Sequence, residues 1–346
     1  MTVAIITDQH FGARKNSKLF HDYFLKFYDE VFFPTLAEKN VKWVIDMGDT
    51  FDNRTGINYS ALAWAKDNYY DRLKKMGIQV YTIVGNHTAY YKNTNSINAV
   101  DLLLREYDNV HVISEYQEIF LHGLNIALVP WINSENEEST YAALEKSKCP
   151  VVMGHLELQG FYANKMHLME HGANRNPYKK FEKVYSGHYH HRSSEDNIHY
   201  LGNPYEIYWN DLEDVRGFHL FDPETKEHTP VNNPFKMFYR LYYNDDAAAL
   251  LDAGQYKDKI VKLIVRKKSN PKEFEKYVDK LMDAGVFDLK VVENFSFDES
   301  EEFNIEQSED TLSILSRYLD ESETDIDKNA VKEIIRNIYK EACEVV

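Results

Sequence analysis

The stretch Val44–Asp52 constrains the fold of this chain more than any other. It begins with large and β-branched side chains, which suit a strand covered on both faces. Gly48 then permits a sharp turn, and the carboxylates of Asp49 and Asp52 follow. In an open α/β sheet, a carboxylate just past a strand end lies in the crevice where such folds bind ligands. Alone, this stretch predicts only a strand and a loop, because strand-Gly-Asp is common.

Four further apolar stretches end in the same kind of polar loop. The polar residues that follow them are Asp8 and His10, Asn86 and His87, His155, and His188 and His190. Two of these pairs are separated by one residue, so on an extended chain both side chains of a pair face the same side. Parallel strands bring their C-terminal ends to one edge of a sheet, which allows all five loops to converge. Each loop alone is equally compatible with an ordinary surface turn.

The residue types at these five strand ends predict a metal centre. Mixed Asp, His and Asn ligands suit manganese, iron or zinc better than calcium. They are too numerous for one ion, and two metals about 3.5–4 Å apart, bridged by one carboxylate, use them most economically. Such a pair can activate a water molecule and clamp a phosphoryl oxygen.

Apolar spacing predicts the elements between the loops. Helices are expected at 17–39, 59–76 and 95–106, and Pro34 is expected to kink or end the first of them. Strand pairs are expected at 118–129 and 217–232. The apolar stripe of the helix at 59–76 is most simply core, and any exposed remainder would be a dimer surface.

The composition changes after about residue 246. Residues 257–293 indicate strand, helix and strand, and they carry a basic patch of Lys257, Lys259, Lys262, Arg266, Lys267, Lys268 and Lys272. Such a patch is most often a solvated face, and the alternative is a surface for phosphates. Residues 298–310 hold seven acidic and no basic residues, which predicts a flexible linker. Helices are expected at 311–319 and 328–344, and the apolar stripe of the second either folds back or docks on a partner.

Bulk properties limit the class of protein and the compartment. A formal net charge of −16 usually argues against nucleic-acid binding, but bound cations and the uneven spread of acid weaken that objection. The two cysteines are far apart and form no CxxC, so neither disulfides nor a zinc ribbon are expected. No apolar run is long enough for a membrane span, and the start of the chain does not resemble a signal peptide. A reducing cytoplasm is therefore expected.

The order Asp-x-His, Gly-Asp-x-x-Asp, Gly-Asn-His, Gly-His and Gly-His-x-His resembles the calcineurin-like metallophosphoesterase family. Within it, Thr7–Gly12 and Gly48–Asp52 resemble the SbcD-type DNA repair nucleases. The chain length, together with Gly85–His87, Tyr91–Asn93 and Leu158–Tyr162, is similar to the nuclease subunits of T-even phage recombination complexes. These motifs cover about residues 1–202.

The resemblance implies a fold and a domain order. The fold class is α/β, a metallophosphoesterase β-sandwich flanked by helices, with a small α+β capping domain and a C-terminal helix pair. The nuclease domain would span 1–245, a DNA-contacting cap 246–297, an acidic linker 298–310, and ATPase-binding helices 311–346.

The resemblance also implies roles for individual residues. One metal would be held by Asp8, His10, Asp49 and His190, and the other by Asp49, Asn86, His155 and His188. His87 would protonate the leaving oxygen or stabilise the transition-state phosphate, with Asp52 orienting it. DNA would contact Lys257, Lys259, Arg266, Lys267 and Lys268, and the partner would contact Leu312, Leu315, Ile334, Ile335 and Ile338.

The implied activity is that of a manganese-dependent DNA nuclease. It would act as a 3′-to-5′ exonuclease on duplex ends and as an endonuclease on single strands, in recombination, repair and end processing. The implied partners are DNA, an SbcC-type coiled-coil ATPase and a second copy of the chain, and no membrane.

Two other functions compete with a nuclease. A phosphatase or nucleotidase would use the same metal core, but Asp52-Asn53-Arg54 departs from the Asp-Arg-Gly of the family's protein phosphatases. A non-catalytic scaffold would keep the fold and the partner helices. Thr88, which stands where the family usually has an acidic residue, is the one hint of reduced metal affinity or turnover.

Overall fold

The structure is a computed structural model and describes residues 2–165, 167–245 and 251–293, together with Lys328, Val331, Lys332 and Ile334. It divides into two compact units. The first comprises 1–239, 254–261 and 284–288, and the second comprises 240–253, 262–283 and the chain from 289 onward.

A six-stranded sheet forms one half of the first unit. Its strands, in spatial order, are Glu227–Asn232, Gly217–Asp222, Val3–Ile6, Trp43–Asp46, Gln79–Ile83 and Val110–Ile113. The last four run parallel, and Gly217–Asp222 pairs with Val3–Ile6 in the antiparallel direction. The predicted hairpin at 217–232 is thereby confirmed, and it forms the edge of this sheet.

A second six-stranded sheet forms the other half. Its strands, in spatial order, are Ser193–Glu195, Ile198–Tyr200, Lys183–Ser186, Val151–Gly154, Leu124–Val129 and Gln117–Leu121. The last two are the hairpin predicted at 118–129, and its turn is at His122-Gly123. The two strands that precede His155 and His188 lie side by side and parallel.

Alternation along the strands separates three buried layers. On Trp43–Asp46, Val44 packs with the helices outside the first sheet, whereas Ile45 packs between the two sheets. On Val151–Gly154, Val151 likewise faces the space between the sheets, and Val152 faces the outer side of the second sheet. Since neighbouring residues of a strand point to opposite faces, buried strands of this kind need apolar residues at nearly every position.

The structure confirms the helices predicted at 17–39 and 59–76. The helix predicted at 17–39 is present as Lys18–Phe27, a π-helical turn Tyr28–Phe32, and Phe33–Glu38. Pro34 does not end it, because it stands at the start of the last α-helical segment, where a missing N–H costs least. The helix predicted at 59–76 is present as Tyr59–Ala65, the π-helical turn Lys66–Tyr70, and Asp71–Lys75.

The helix predicted at 95–106 is confirmed only in its second half. A two-stranded hairpin, Ala89–Tyr91 with Thr94–Asn98, takes up its first half, and the helix is only Ala99–Leu104. Asn98 ends the hairpin and caps the helix, because its side chain accepts a hydrogen bond from the Asp101 N–H at 2.8 Å. The sandwich also contains the helix Glu137–Lys146, with 3₁₀ turns at Asn176–Tyr178 and Trp209–Asp211. Ala13–Asn16 forms a single turn in which Arg14, Lys15 and Asn16 have positive φ angles.

The strand–helix–strand order predicted for 257–293 is confirmed as Ile260–Val265, Pro271–Asp283 and Asp288–Glu293. The two strands pair with Phe238–Tyr243 in a three-stranded sheet, and a 3₁₀ turn at Ala253–Tyr256 precedes Ile260–Val265. Elsewhere in the chain, Tyr162–Asn164 pairs with His167–Leu168. The predicted linker 298–310 and the helix at 311–319 lie outside the described residues, as does most of 328–344. No helix in the described part of the chain is long and apolar enough to cross a membrane.

Candidate metal centre

Five loops at the strand ends meet at one edge of the sandwich, three from the first sheet and two from the second. Within the first sheet, the N–H groups of Asp8 and His10 donate to the carbonyls of Gly48 and Asp49, both at 2.9 Å. Between the sheets, the His188 N–H donates to the Asp8 carboxylate at 3.0 Å. Hydrogen bonds donated by main-chain N–H groups therefore hold these loops against each other.

Asp8, His10 and His190 form the first group of donors. The Nε2 atoms of the two imidazoles lie 3.1 Å apart, and the Asp8 carboxylate is 4.0 Å from His190 Nε2. Asp8 is fully buried and His10 almost so. Two imidazole nitrogens and a carboxylate directed at one point are a set that suits a divalent transition metal.

Asp49, His155 and His188 form the second group. Asn86 joins it, because its Oδ1 lies 2.9 Å from His155 Nε2 and 2.9 Å from His188 Nδ1. His155 Nδ1 contacts the Met47 carbonyl at 2.9 Å, which leaves Nε2 directed at the site. The four residues predicted to hold one metal are thus brought together.

Asp49 lies with the second group and not with the first. One oxygen is 3.2 Å from His155 Nε2, and the other accepts the His87 N–H at 2.8 Å. Asp49 is almost fully buried and central to the site. Its predicted role as the bridge between two metals stays a prediction.

The imidazoles of the site differ in their protonation. Burial favours the neutral form of His155, but the charge and hydrogen bond of Asp49 outweigh it and raise the pKa of that imidazole to about 9. Burial, followed by the charge on His155, lowers the pKa of His188 to about 3. Burial also holds the pKa of His190 well below its usual range, so both imidazoles are neutral, the form that binds metal. Burial opposes ionisation of Asp49, but the neighbouring His155 and His87 outweigh it and hold the pKa of that carboxyl well below its usual range.

Asp52 acts differently from the sequence prediction. Its main-chain carbonyl, rather than its carboxylate, contacts His87 Nδ1, at 2.7 Å. The carboxylate lies 3.1 Å from His10 Nδ1, on the opposite side of that ring from the first donor group. Asp52 thus contacts His87 through its main chain and His10 through its side chain, and the donor atoms of all three side chains lie within 4.8 Å of one another. The sequence reasoning missed the contact with His10.

Four of the predicted site residues have a left-handed backbone. Their φ angles are 52° at Asp8, 46° at His10, 51° at Asp49 and 80° at His188. Asp and His are among the non-glycine residues that tolerate this region, at a cost of about 1–2 kcal/mol each. Such strain clusters at functional sites, where the surrounding structure must hold it.

Thr88 closes the turn that presents Asn86 and His87. It is fully buried, and its hydroxyl accepts from the Gly85 N–H and donates to the Gly85 carbonyl, both at 3.0 Å. Gly85 is required there, because a Cβ atom would lie 2.2 Å from an Asp49 carboxylate oxygen. Threonine is thus a fitted residue at this position, and nothing in its contacts weakens the site.

The site also includes two arginines that the sequence reasoning did not select. Arg216 is buried, forms salt bridges with Asp211 at 2.9 Å and Asp214 at 2.8 Å, and contacts the His190 carbonyl. Arg54 donates to the Asn86 carbonyl at 2.7 Å, while its other terminal nitrogen, NH1, has no hydrogen-bond partner among the described residues. Arg54 could have been found as the cation two residues after Asp52, whereas no sequence signal marks Arg216.

The residues predicted to touch DNA are divided between the two units. Lys257 and Lys259 belong to the first unit, and Arg266, Lys267 and Lys268 belong to the second. Lys267 lies 3.5 Å from Asp245, and Lys268 lies 2.8 Å from Glu293. Of the predicted partner-contacting residues only Ile334 is described, and it is exposed, whereas Leu312, Leu315, Ile335 and Ile338 lie outside the described residues.

The fold and these paired donor groups define a metallophosphoesterase. The chain belongs to the calcineurin-like phosphoesterase family, whose model matches residues 1–192. It is 31% identical over 303 residues to exonuclease subunit 1 of Enterobacteria phage T4, with 87% of each chain covered. The predicted family and the α/β fold class are thus confirmed, and the chain is a metal-dependent phosphoesterase.

Solved structures resemble the chain more distantly. An archaeal phosphodiesterase covers 67% of this chain and is matched over all of its own, at 11% identity and a TM-score of 0.36. A dimetal phosphatase from Danio rerio covers 64% of this chain and 91% of its own, at 13% identity and a TM-score of 0.35. Likeness at this level carries no argument about substrate.

Proposed function

We propose that the chain is a two-metal DNA nuclease, a 3′-to-5′ exonuclease on duplex DNA and an endonuclease on single strands. The observation that carries this proposal is the pair of adjacent donor groups with His87 beside them, in a chain similar to a phage exonuclease subunit. Asp8, His10 and His190 would hold one divalent cation, and Asn86, His155 and His188 the other, with Asp49 between them. Manganese suits this mixed donor set.

The cations, when bound, supply an activated water and positive charge for the phosphoryl oxygens. The chain's own residues supply position and proton transfer. The Asp52 carbonyl accepts from His87 Nδ1–H, so in the imidazolium form of His87 the proton on Nε2 is the one available to the leaving oxygen. Arg54 holds the Asn86 main chain with one nitrogen, and its guanidinium would add positive charge beside the phosphate.

The proposed assembly includes an SbcC-type ATPase and a second copy of the chain, acting in recombination, repair and end processing. The ATPase would bind the helices at 311–346, and the copies would meet through Tyr59–Lys75 and Ala99–Leu104. Exposed Tyr59 and Leu102 support a contact there. Deleting 311–346 should abolish ATPase binding and spare manganese-dependent hydrolysis of a small phosphodiester. Normal binding by the truncated chain would contradict the role given to the tail.

The decisive experiment incubates the purified chain with manganese and end-labelled linear duplex DNA, with and without the ATPase. Asp8→Ala and His87→Ser should each abolish cleavage while leaving partner binding intact. His111→Gln is the matched control, because His111 is an exposed histidine that contacts only Gln79 by hydrogen bond, at 3.0 Å. Cleavage that survives in both site variants would refute the mechanism, and hydrolysis of phosphomonoesters alone would indicate a phosphatase.

A further inference from the structure

A cavity opens beside the second donor group. It has a volume of about 400 Å³, within the range of small-molecule pockets, and its wall includes Leu156 and Glu157, which directly follow His155. The Glu157 carboxylate lies 3.9 Å from His188 Nε2. The cavity wall and the second donor group are therefore joined through the segment His155–Glu157.

The wall combines aromatic and aliphatic surface. Trp131 and Tyr141 are half-buried, and Leu156 and Leu158 are buried behind them. The main chain of Trp131 is fixed, since its N–H donates to the Val84 carbonyl at 2.8 Å and its carbonyl accepts from Asn95 Nδ2 at 2.9 Å. This aromatic wall is thus preformed and attached to the same strand that leads to Asn86.

The charged groups of the wall disfavour an anionic ligand, such as another phosphate of the substrate. Its described residues include the exposed carboxylates of Glu137 and Glu157 and no Lys or Arg. Tyr178 is completely buried in the wall, and its hydroxyl has no hydrogen-bond partner among the described residues. A buried hydroxyl without a partner costs free energy, so it marks a position where a ligand's polar group gains most.

We propose that this cavity binds the nucleobase of the nucleotide whose phosphate lies at the metal centre. The inference rests on the proposed function and names the part of the substrate that the metals do not touch. A base is planar, uncharged and edged with hydrogen-bonding groups, so it can stack on Trp131 or Tyr141 and bond to Tyr178. Stacking on aromatic side chains is tolerant of sequence, as a nuclease without base preference requires.

The test separates the base from the phosphate. Hydrolysis of bis(p-nitrophenyl) phosphate with manganese is inhibited with either deoxyadenosine 5′-monophosphate or deoxyribose 5-phosphate. In the unaltered chain the nucleotide should inhibit at a concentration about tenfold lower than the sugar phosphate, the gain of one stacked base. Tyr141→Ala and Tyr178→Phe should bring that ratio toward one and leave uninhibited hydrolysis unchanged.

Tyr116→Phe is the matched control, because its hydroxyl bonds to Glu118 away from this cavity. A second readout does not depend on turnover: the nucleotide should quench tryptophan fluorescence in the unaltered chain and not in Trp131→Phe. Equal inhibition by both compounds in the unaltered chain, or an unchanged ratio in both cavity variants, would overturn the proposal. Failure to cleave DNA would instead count against the proposed function, and the ratio would still be measured.

Discussion

At the residue scale, the two carboxylates of Gly48–Asp52 have different tasks. Asp49 touches His155 and the His87 N–H, whereas the Asp52 side chain reaches His10 and its carbonyl reaches His87. The spacing of the motif could place both near the site, but it could not assign main-chain and side-chain contacts. Those depend on the loop conformation, which sequence reasoning left open.

Replacing Thr88 tests whether threonine is a weakness of the site. Thr88→Val removes both hydrogen bonds to Gly85 and should lower the free energy of unfolding by about 1–3 kcal/mol, with a matching loss of turnover. Thr88→Ser keeps the hydroxyl and should retain most activity. Thr88→Asp should bring no gain in manganese-dependent cleavage, because an ionised carboxylate cannot donate to the Gly85 carbonyl. A clearly faster Thr88→Asp variant would restore the suspicion that threonine impairs the site.

Asp46 provides a test of pH dependence. It is buried beneath the site, where its carboxylate accepts from Gln9 at 2.9 Å and Thr50 at 2.7 Å, and burial raises its pKa from 3.8 to about 7. The folded chain therefore keeps this proton between about pH 4 and pH 7 while the unfolded chain releases it. Its contribution to stability must fall as the pH rises through that window, by at most about 1.4 kcal/mol per pH unit.

Urea unfolding at pH 5 and pH 7 checks this expectation. Asp46→Asn cannot ionise, so its free energy of unfolding should fall less between the two pH values than that of the unaltered chain. The comparison concerns the slope, so a uniform loss of stability in the variant does not affect it. An identical pH slope in both proteins would show that Asp46 is ionised in the folded chain at pH 5.

At the scale of elements, the sequence predicted the strands and their polar ends well. A buried strand such as Trp43–Asp46 leaves a short apolar run, and its shortness, its β-branched residues and the glycine that follows favour a strand over a helix. The sequence-based prediction failed at Thr94–Asn98, where a hairpin precedes the helix. Ile97 and Val100 fit the apolar spacing of a helix as well as that of a strand, so the pattern did not separate the two. The division of the site between two sheets was also beyond prediction, since it depends on long-range strand pairing.

The turn after Gln79–Ile83 is the element most sensitive to a small change. Gly85→Ala places a methyl group 2.2 Å from the Asp49 carboxylate, which must move away from the second donor group. Manganese affinity should fall by at least about tenfold. Gly56→Ala is the control, since a Cβ there meets nothing within 4 Å. Calorimetric titration with manganese measures both, and unchanged affinity in Gly85→Ala would show that Asp49 is not needed for binding.

At the scale of the whole molecule, cations should stabilise the first unit by linking its two sheets. The proposed ligands come from both sheets, so only the folded unit offers the complete sets. Manganese at a hundredfold excess over its dissociation constant should add about 2.7 kcal/mol per site, seen as a higher melting temperature. Asp49→Ala should lose most of that rise and His111→Gln none of it. An equal rise in all three proteins would place the bound manganese elsewhere.

The left-handed backbone at Asp8, His10, Asp49 and His188 has a consequence for which replacements these four positions tolerate. A β-branched residue at any of them would lose the metal donor and also clash with the backbone conformation of the loop. Asparagine tolerates the same conformation, so it would remove the charge or the imidazole and leave the loop intact. The lineage of such a chain could therefore lose its chemistry by small steps while the fold around the site persisted.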